Sequence, residues 1–302
     1  MKKLAIIQAR MSSSRLPGKV MLDISGRPLL QHMLARVQKS RAIDDVVLAT
    51  TTDPSDDILE QFCQSQDLPC FRGNLHDVLD RYYHAVTQFH ADVIIRLTAD
   101  CPLIDPDLID LTVMTFLGKR SFPNQPYYSQ IADHDSLKSL PFDFAANRLP
   151  PPWKRTLPIG TDVEVCTFSA LERAWKEAGD RYQREHVMPY LYEGVSLHGG
   201  MAFPDGKPSQ GARWHVDHGT TQRGFRITLL NHNPDYGSLR WTVDTPADLE
   251  FVRQIFSRFG GQDDFTWLDV LALIEKEPDL ASINVDVKHK SAFDVDQRTS
   301  HS

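Results

Sequence analysis

The chain has 302 residues, 41 % of them hydrophobic and 24 % charged, with a net charge of −7. That is the make-up of an ordinary globular protein, long enough for one large domain or a domain with a substantial lobe. Its Lys and Arg residues are dispersed and form no basic stripe, and no apolar run approaches a membrane span, so nucleic acid and membrane insertion are both excluded as partners.

The first hundred residues alternate between strand and helix patterns. Leu4–Gln8 reads as a short buried strand, too short for a signal-peptide core behind Met1-Lys2-Lys3. Leu29, Leu30, Met33, Leu34 and Val37 recur at helical spacing. Val46–Thr50 is a second strand, with Asp53 and Ser55 offering a helix start and Ile58–Phe62 continuing it. Cys70-Phe71 is a brief strand, and Leu75, Val78, Leu79, Tyr82, Tyr83 and Val86 mark one face of a helix. Val93–Leu97 is an apolar strand, followed by Asp105 as N-cap and Pro106 in the first helical position. The βαβα order predicts an α/β fold, a mostly parallel central sheet with flanking helices.

From Gly118 to Ile159 the sequence is rich in Pro, Ser, Tyr and Asn and reads as an irregular insertion or lid. Patterning resumes with the strand "GTDVEV" and a helix over Ser169–Ala178. "REHV" reads as a helix start, Phe225–Leu230 and Arg240–Val243 as strands, and Pro246–Phe259 and Thr266–Lys276 as helices. Residues 1–287 are thus expected to form a single domain with its insertion at 118–159, and 288–302 a polar, frayed tail. The four cysteines show no disulfide or metal spacing and read as reduced thiols in a cytoplasmic protein. In "WHVDH", His215 and His218 flank Asp217; zinc there would need further ligands, and a polar loop is the simpler reading.

Ligands in such sheets sit at the carboxyl ends of the strands, where the two most polar stretches lie. After the first strand, Arg10, Arg15 and Lys19 supply fixed positive charge and Ser12, Ser13 and Ser14 supply hydroxyls, while Gly18 allows close backbone approach. In an acidic chain this local cluster suits a polyphosphate, held by charge-assisted hydrogen bonds. It is not a Walker A loop: Ser13 stands where that motif has Gly, and Val20 where it needs Ser or Thr. It is not GxGxxG either. The plain alternative is a solvated loop whose charges pair with nearby carboxylates.

"ARMSSSRLPGKVMLDISGRPLL" closely resembles the nucleotide-binding signature of the cytidylyltransferases that make CMP-sugars, among them the CMP-Kdo and CMP-acylneuraminate synthetases. The nearest likeness is to the branch named after the spore coat polysaccharide protein SpsF. "FRGNLHDVLDRYYHA", "RLTADCPLIDPDLID", "GTDVEVCTFSALERAWKEA", "REHVMPYLYE" and "LRWTVDTPADLEFVRQIF" resemble that branch in the same order, from Leu4 to about Phe256.

The resemblance implies a Rossmann-like nucleotidyltransferase fold, Mg²⁺ dependence, and transfer of CMP from CTP to an acceptor such as a sugar acid; relatives also suggest a homodimer. By matching position, Arg10, Arg15 and Lys19 would hold the phosphates, with Ala9, Ser13 and Ser14 in the same loop. Asp100 and Asp244 fall on the two metal aspartates. Arg72, Asp80 and Arg81 lie in the segment that approaches the nucleoside. Thr98 stands where the CMP-Kdo branch has a glutamine near the base.

Read without the family, Asp100 ends an apolar strand and has no capping role, whereas Asp244 or Thr245 could cap the helix that Pro246 opens. Two carboxylates at strand ends suit Mg²⁺, a hard cation. Asp162 and Glu164, spaced by two on a strand, face one side. In the resembling branch, the region of Arg184 and His186 lies toward the acceptor, and Arg184 would suit an acceptor carboxylate. Tyr82, Tyr83 and Trp241 read as core. The sequence also admits two other functions: a glycosyltransferase that consumes a sugar nucleotide, and a non-catalytic sugar-nucleotide sensor.

Overall fold

The structure, a computed structural model, describes residues 1–118, 140–153, 155–202 and 214–288. In chain order the first half reads β1 (Lys3–Gln8), β2 (Asp23–Ile24), β3 (Arg27–Pro28), α1 (Leu29–Val37), β4 (Asp45–Thr51), α2 (Asp57–Ser65), β5 (Cys70–Gly73), α3 (Val78–Phe89), β6 (Val93–Thr98) and α4 (Pro106–Phe116). There follow β7 (Phe144–Ala146), β8 (Glu164–Thr167), α5 (Phe168–Glu177), α6 (Arg181–His186), α7 (Pro189–Tyr192), β9 (Ser196–Ala202), β10 (Trp214–Thr220), β11 (Arg226–His232), α8 (Pro246–Arg258), α9 (Trp267–Lys276) and α10 (Asp279–Ser282).

The strands build one nine-stranded sheet in the order β5-β4-β1-β6-β8-β7-β11-β10-β9. Its first four are parallel, with Ile6 of β1 opposite Val47 of β4 and Arg96 of β6. β8 then enters antiparallel to β6, with Arg96 opposite Glu164. The amino end of β8 therefore lies beside the carboxyl end of β6, and that reversal brings Asp162 and Glu164 to the edge where the β1 and β6 loops emerge. Side chains alternate across the strands, so each face has its own core. Ile6, Ile94 and Cys166 pack under α3, α5 and α7; Ala5, Ile7 and Ile95 pack under α1, α2 and α4. A third cluster joins α8 and α9 to Ile24, Leu103, Trp241 and Val243.

Several segments differ from the reading of the sequence, among them "GTDVEV", where the strand begins only at Glu164 and Asp162 precedes it. Residues 118–159 are not irregular throughout, because Phe144–Ala146 is a fully buried strand between β8 and β11; residues 119–139 of the expected insertion lie outside the described residues, as does the expected tail from 289. "WHVDH" is not a loop but strand β10, paired on both sides, and among the described residues no cluster of three His, Cys, Asp or Glu is placed to hold a metal. Arg240–Val243 is not a sheet strand. Its single bridge joins Arg240 to Ile159, and Val243 N donates to Asp100 O at 2.8 Å. Gly160 makes this close approach possible: its φ is +103°, and a Cβ there would sit 2.5 Å from Thr242 N. The segment is thereby clamped between the loops that follow β6 and precede β8.

The helix behind Asp244 resolves which residue caps it. Thr245 Oγ1 accepts from Asp248 N at 3.3 Å, and Asp248 Oδ2 accepts from Thr245 N at 3.0 Å, a reciprocal capping box. Thr245→Ala is expected to lower stability by about 1 kcal/mol, read as the urea midpoint. The Asp244 side-chain contacts should persist, so an unchanged midpoint would mean that the cap contributes nothing.

Candidate active site

A cavity of about 350 Å³ opens where β1 and β6 end and β8 begins. The loop after β1 is folded on itself: Met11 O accepts from Ser13 N and Gly18 N, each at 2.9 Å. Met11 N donates to Asp56 Oδ1 at 2.7 Å, and buried Asp56 also accepts from Thr50 and Thr51. Gly18, at φ +69°, reverses the chain into a short 3₁₀ turn that begins at Lys19. Lys19 is thereby buried and aimed across the cavity floor.

The Lys19 ammonium donates to Asp100 Oδ2 at 2.7 Å, Asp244 Oδ1 at 2.9 Å and Val243 O at 2.8 Å. Arg15 Nη2 lies 2.7 Å and Arg240 Nη2 2.8 Å from the other Asp244 oxygen. Arg240 is itself fixed by buried Asp248, at 2.8 Å. Burial works against the charge of Lys19, yet Asp100 and Asp244 raise its pKa above the ordinary value of 10.5. Burial likewise opposes the charge of Asp244, yet Lys19, Arg15 and Arg240 hold its pKa at about 2. The sign follows from both shifts. The contribution of Asp244 is full above 3.8 and lost as pH falls through about 2, and that of Lys19 is full below 10.5 and lost as pH rises through its raised value.

Two carboxylates from loops 144 residues apart thus reach a single cation, with one oxygen of each within 2.9 Å of Lys19 Nζ. A pair of converging carboxylates fits a hard divalent cation, whose other ligands would be water and phosphate oxygens.

The remaining candidates fall into two groups. Ala9, Arg10, Ser13, Ser14 and Arg15 line the cavity with Lys19, as does Thr98 beside Asp100. At the β8 end, Asp162, Glu164 and His186 line it. Asp162 is gripped by both terminal nitrogens of Arg155, and Glu164 by Arg96. Four candidates stand elsewhere. Arg72 is committed to Asp57 and Glu60 at 2.7 and 2.8 Å, and Asp80 accepts from Trp175 Nε1 at 2.9 Å. Arg81 is fully buried, and that burial pushes its guanidinium down to about 10. Arg184 forms a two-pronged pair with Asp77 on the far side of α6.

Helix α6 explains that turn of the chain. Asp180 and Gln183 form a capping box, so the helix starts before "REHV" and ends at His186 rather than beginning there. Val187 then takes φ +71° and ψ −57°, and Met188 N donates to His186 O at 2.9 Å, closing a γ-turn. A buried β-branched residue pays strain for that conformation. It lets Glu185 and His186 line the cavity while Arg184 faces Asp77.

The sequence pattern misses Gln8, Arg96, Arg148 and Tyr192, all of which line the cavity. One signal was there to be used, the arginine inside the apolar run "VIIRLT". Burial disfavours the Arg96 charge, but Glu164 raises its pKa.

The sequence profile of the cytidylyltransferase family matches residues 4–200. The chain is 29 % identical to spore coat polysaccharide biosynthesis protein SpsF of Bacillus subtilis, over 92 % of this chain and 96 % of that one. It is 30 % identical to 3-deoxy-manno-octulosonate cytidylyltransferase of Chlorobaculum tepidum, over 86 % of this chain and all of that one. A solved cytidylyltransferase from Leptospira borgpetersenii superposes with a TM-score of 0.72 at 30 % identity, covering 96 % of this chain and 100 % of its own. A charged loop at the end of β1 facing two converging loop aspartates, on a fold shared with that solved enzyme and under a profile spanning most of the chain, makes this protein a member of the cytidylyltransferase family.

Proposed function

We propose that this enzyme transfers CMP from CTP to a small anionic acceptor of the sugar-acid kind, with Mg²⁺ as cofactor, in the cytoplasmic synthesis of surface-polysaccharide precursors. The observation that carries the reading is the convergence of Lys19 and Arg15 on Asp100 and Asp244 at one end of the cavity. An acceptor hydroxyl oxygen bonds to the α-phosphorus and gives up its proton to water, the bond from that phosphorus to the bridging oxygen of the β-phosphate breaks, and pyrophosphate leaves with the electron pair. Arg10, Arg15 and Lys19, with Ser13 and Ser14, hold the outer phosphates and meet the charge that grows on the leaving group. Asp100 and Asp244 would hold Mg²⁺, and a divalent ion there would supply neutralisation of phosphate charge and a lower pKa for the attacking hydroxyl. Asp162, Glu164 and His186 orient the acceptor, and no protein nucleophile is required, so catalysis is chiefly positioning.

The test is pyrophosphate release from CTP, UTP, ATP and GTP with Mg²⁺ across a panel of sugar acids, beside thermal shift with each nucleotide. CTP should give the largest stabilisation and support release with an acidic acceptor. Equal or larger stabilisation by a purine nucleotide would defeat the cytidylyl reading, and turnover of a sugar nucleotide without pyrophosphate release would mark a glycosyltransferase.

A further inference from the structure

We propose that Gln8 is a specificity-determining residue, its carboxamide distinguishing cytosine from uracil at the end of β1; this rests on the CTP reading above. Gln8 is the last residue of β1 and sits opposite Thr98 in the parallel register with β6. Its backbone is fixed, because Ala99 N donates to Gln8 O at 2.9 Å. Its side chain is oriented as well. Arg96 projects from β6 on the same face, with Nη1 on Glu164 of β8 and Nη2 3.4 Å from Gln8 Oε1. A guanidinium has donors only, so the amide oxygen of Gln8 must be the atom that faces it. The amide nitrogen and its two N–H groups are then turned the other way. Glu164, Arg96 and Gln8 form one polar row across three adjacent strands, and each of them lines the cavity.

The surroundings single out this group. Among the described residues lining the cavity, Gln8 is the lone carboxamide, amid five basic and five acidic side chains. The formal charges are taken up: Lys19 and Arg15 by aspartates, Arg96 by Glu164, Asp162 by Arg155. The Thr98 hydroxyl lies 3.4 Å from Cys101 Sγ. A neutral heterocycle can be read by a neutral side chain whose donors and acceptors are held in a fixed direction. Cytosine presents N3 and O2 as acceptors, whereas the N3 of uracil carries a hydrogen. Oriented N–H donors complement the first and oppose the second, and a mispaired polar group in a partly buried site is costly.

The experiment measures Kd for CTP and for UTP by calorimetry with Mg²⁺, in wild type, Gln8→Leu and Gln8→Glu. Acceptor KM is measured in parallel by pyrophosphate release. Gln8→Leu should weaken CTP by about ten- to a hundredfold, the effect of one lost hydrogen-bond partner, and leave UTP nearly unchanged. Gln8→Glu keeps an acceptor toward Arg96 but has no donor for N3, so the CTP to UTP preference should fall further and move toward UTP. Should Gln8→Leu fail to fold, Gln8→Glu carries the same comparison. Equal weakening of both nucleotides, or no change in either, overturns the proposal. So does an unchanged nucleotide Kd with a raised acceptor KM, which would put Gln8 on the acceptor side. A wild type that binds CTP no better than UTP instead defeats the function itself, and is read from the unmutated protein alone.

Discussion

Asp100→Asn and Asp244→Asn are each expected to remove most Mg²⁺-dependent pyrophosphate release, by about a hundredfold or more, as loss of a charged group at the reacting phosphate does. The substitution keeps the shape and one carbonyl oxygen, and takes away the charge that a hard cation needs. The two carboxylates meet on a single ammonium, so they act as one unit. The double variant should therefore be little worse than the poorer single one. Rates across a Mg²⁺ titration for wild type, both singles and the double decide this. Asp244 carries the sharper test, because the helix cap belongs to Thr245 and a purely structural role for Asp244 as N-cap is no longer available. If Asp244→Asn kept both the rate and its Mg²⁺ dependence, the pair would not be the metal site.

Lys19→Met should have two effects that separate its roles. Binding of CTP should weaken by about 1.5–3 kcal/mol, the worth of one charge-assisted contact, while CMP binding changes far less. Arg15→Ala should behave the same way. Equal losses for the two nucleotides, measured by calorimetry, would place the loop somewhere other than the outer phosphates. The second effect needs no nucleotide. With the ammonium gone, Asp100 and Asp244 face each other across a largely buried gap, with side-chain exposures of 24 % and 14 %. The variant should melt lower than wild type, and added Mg²⁺ should restore more of its Tm than it adds to wild type, because in wild type the same oxygens are already bound to Lys19. A Tm of Lys19→Met that is indifferent to Mg²⁺ would show that the two aspartates do not hold the ion.

Much of the fold was legible because its elements carry a strong period. The α1 and α3 faces and the strands β1, β4 and β6 lie within a few residues of where their apolar spacing puts them. What escaped depends on contacts that no local period encodes. Phe144–Ala146 is three residues long and is made a strand only by two neighbours far away in sequence. β10 is half-buried on both faces, so its polar residues hide the alternation that marks a strand. Arg240 looks like part of an apolar strand, yet its guanidinium is spent on Asp244 and Asp248. At the site, residues clustered in one loop were easy to group, since a run of like charges and hydroxyls is a local signal. Arg184 was not, because the carboxylate that claims it is Asp77, 107 positions away. Gln8, Arg96 and Glu164 gain their meaning only from the β1-β6-β8 register, which no local pattern encodes.

The pairing of charges around the cavity has a consequence for how ligands arrive. With five basic and five acidic side chains in its wall, and a chain of net charge −7 around it, the cavity offers no long-range pull on a bare triphosphate. On the proposed function, attraction would begin only at contact, where phosphate oxygens would take Arg15 and Lys19 from their aspartates and a divalent ion would take the aspartates in exchange. Such a swap of partners changes the net charge of the pocket little. Encounter should therefore be unsteered and, against the net negative charge of the chain, should quicken modestly as salt screens the repulsion, so that selectivity among nucleotides is exercised after entry, by the groups on the sheet floor.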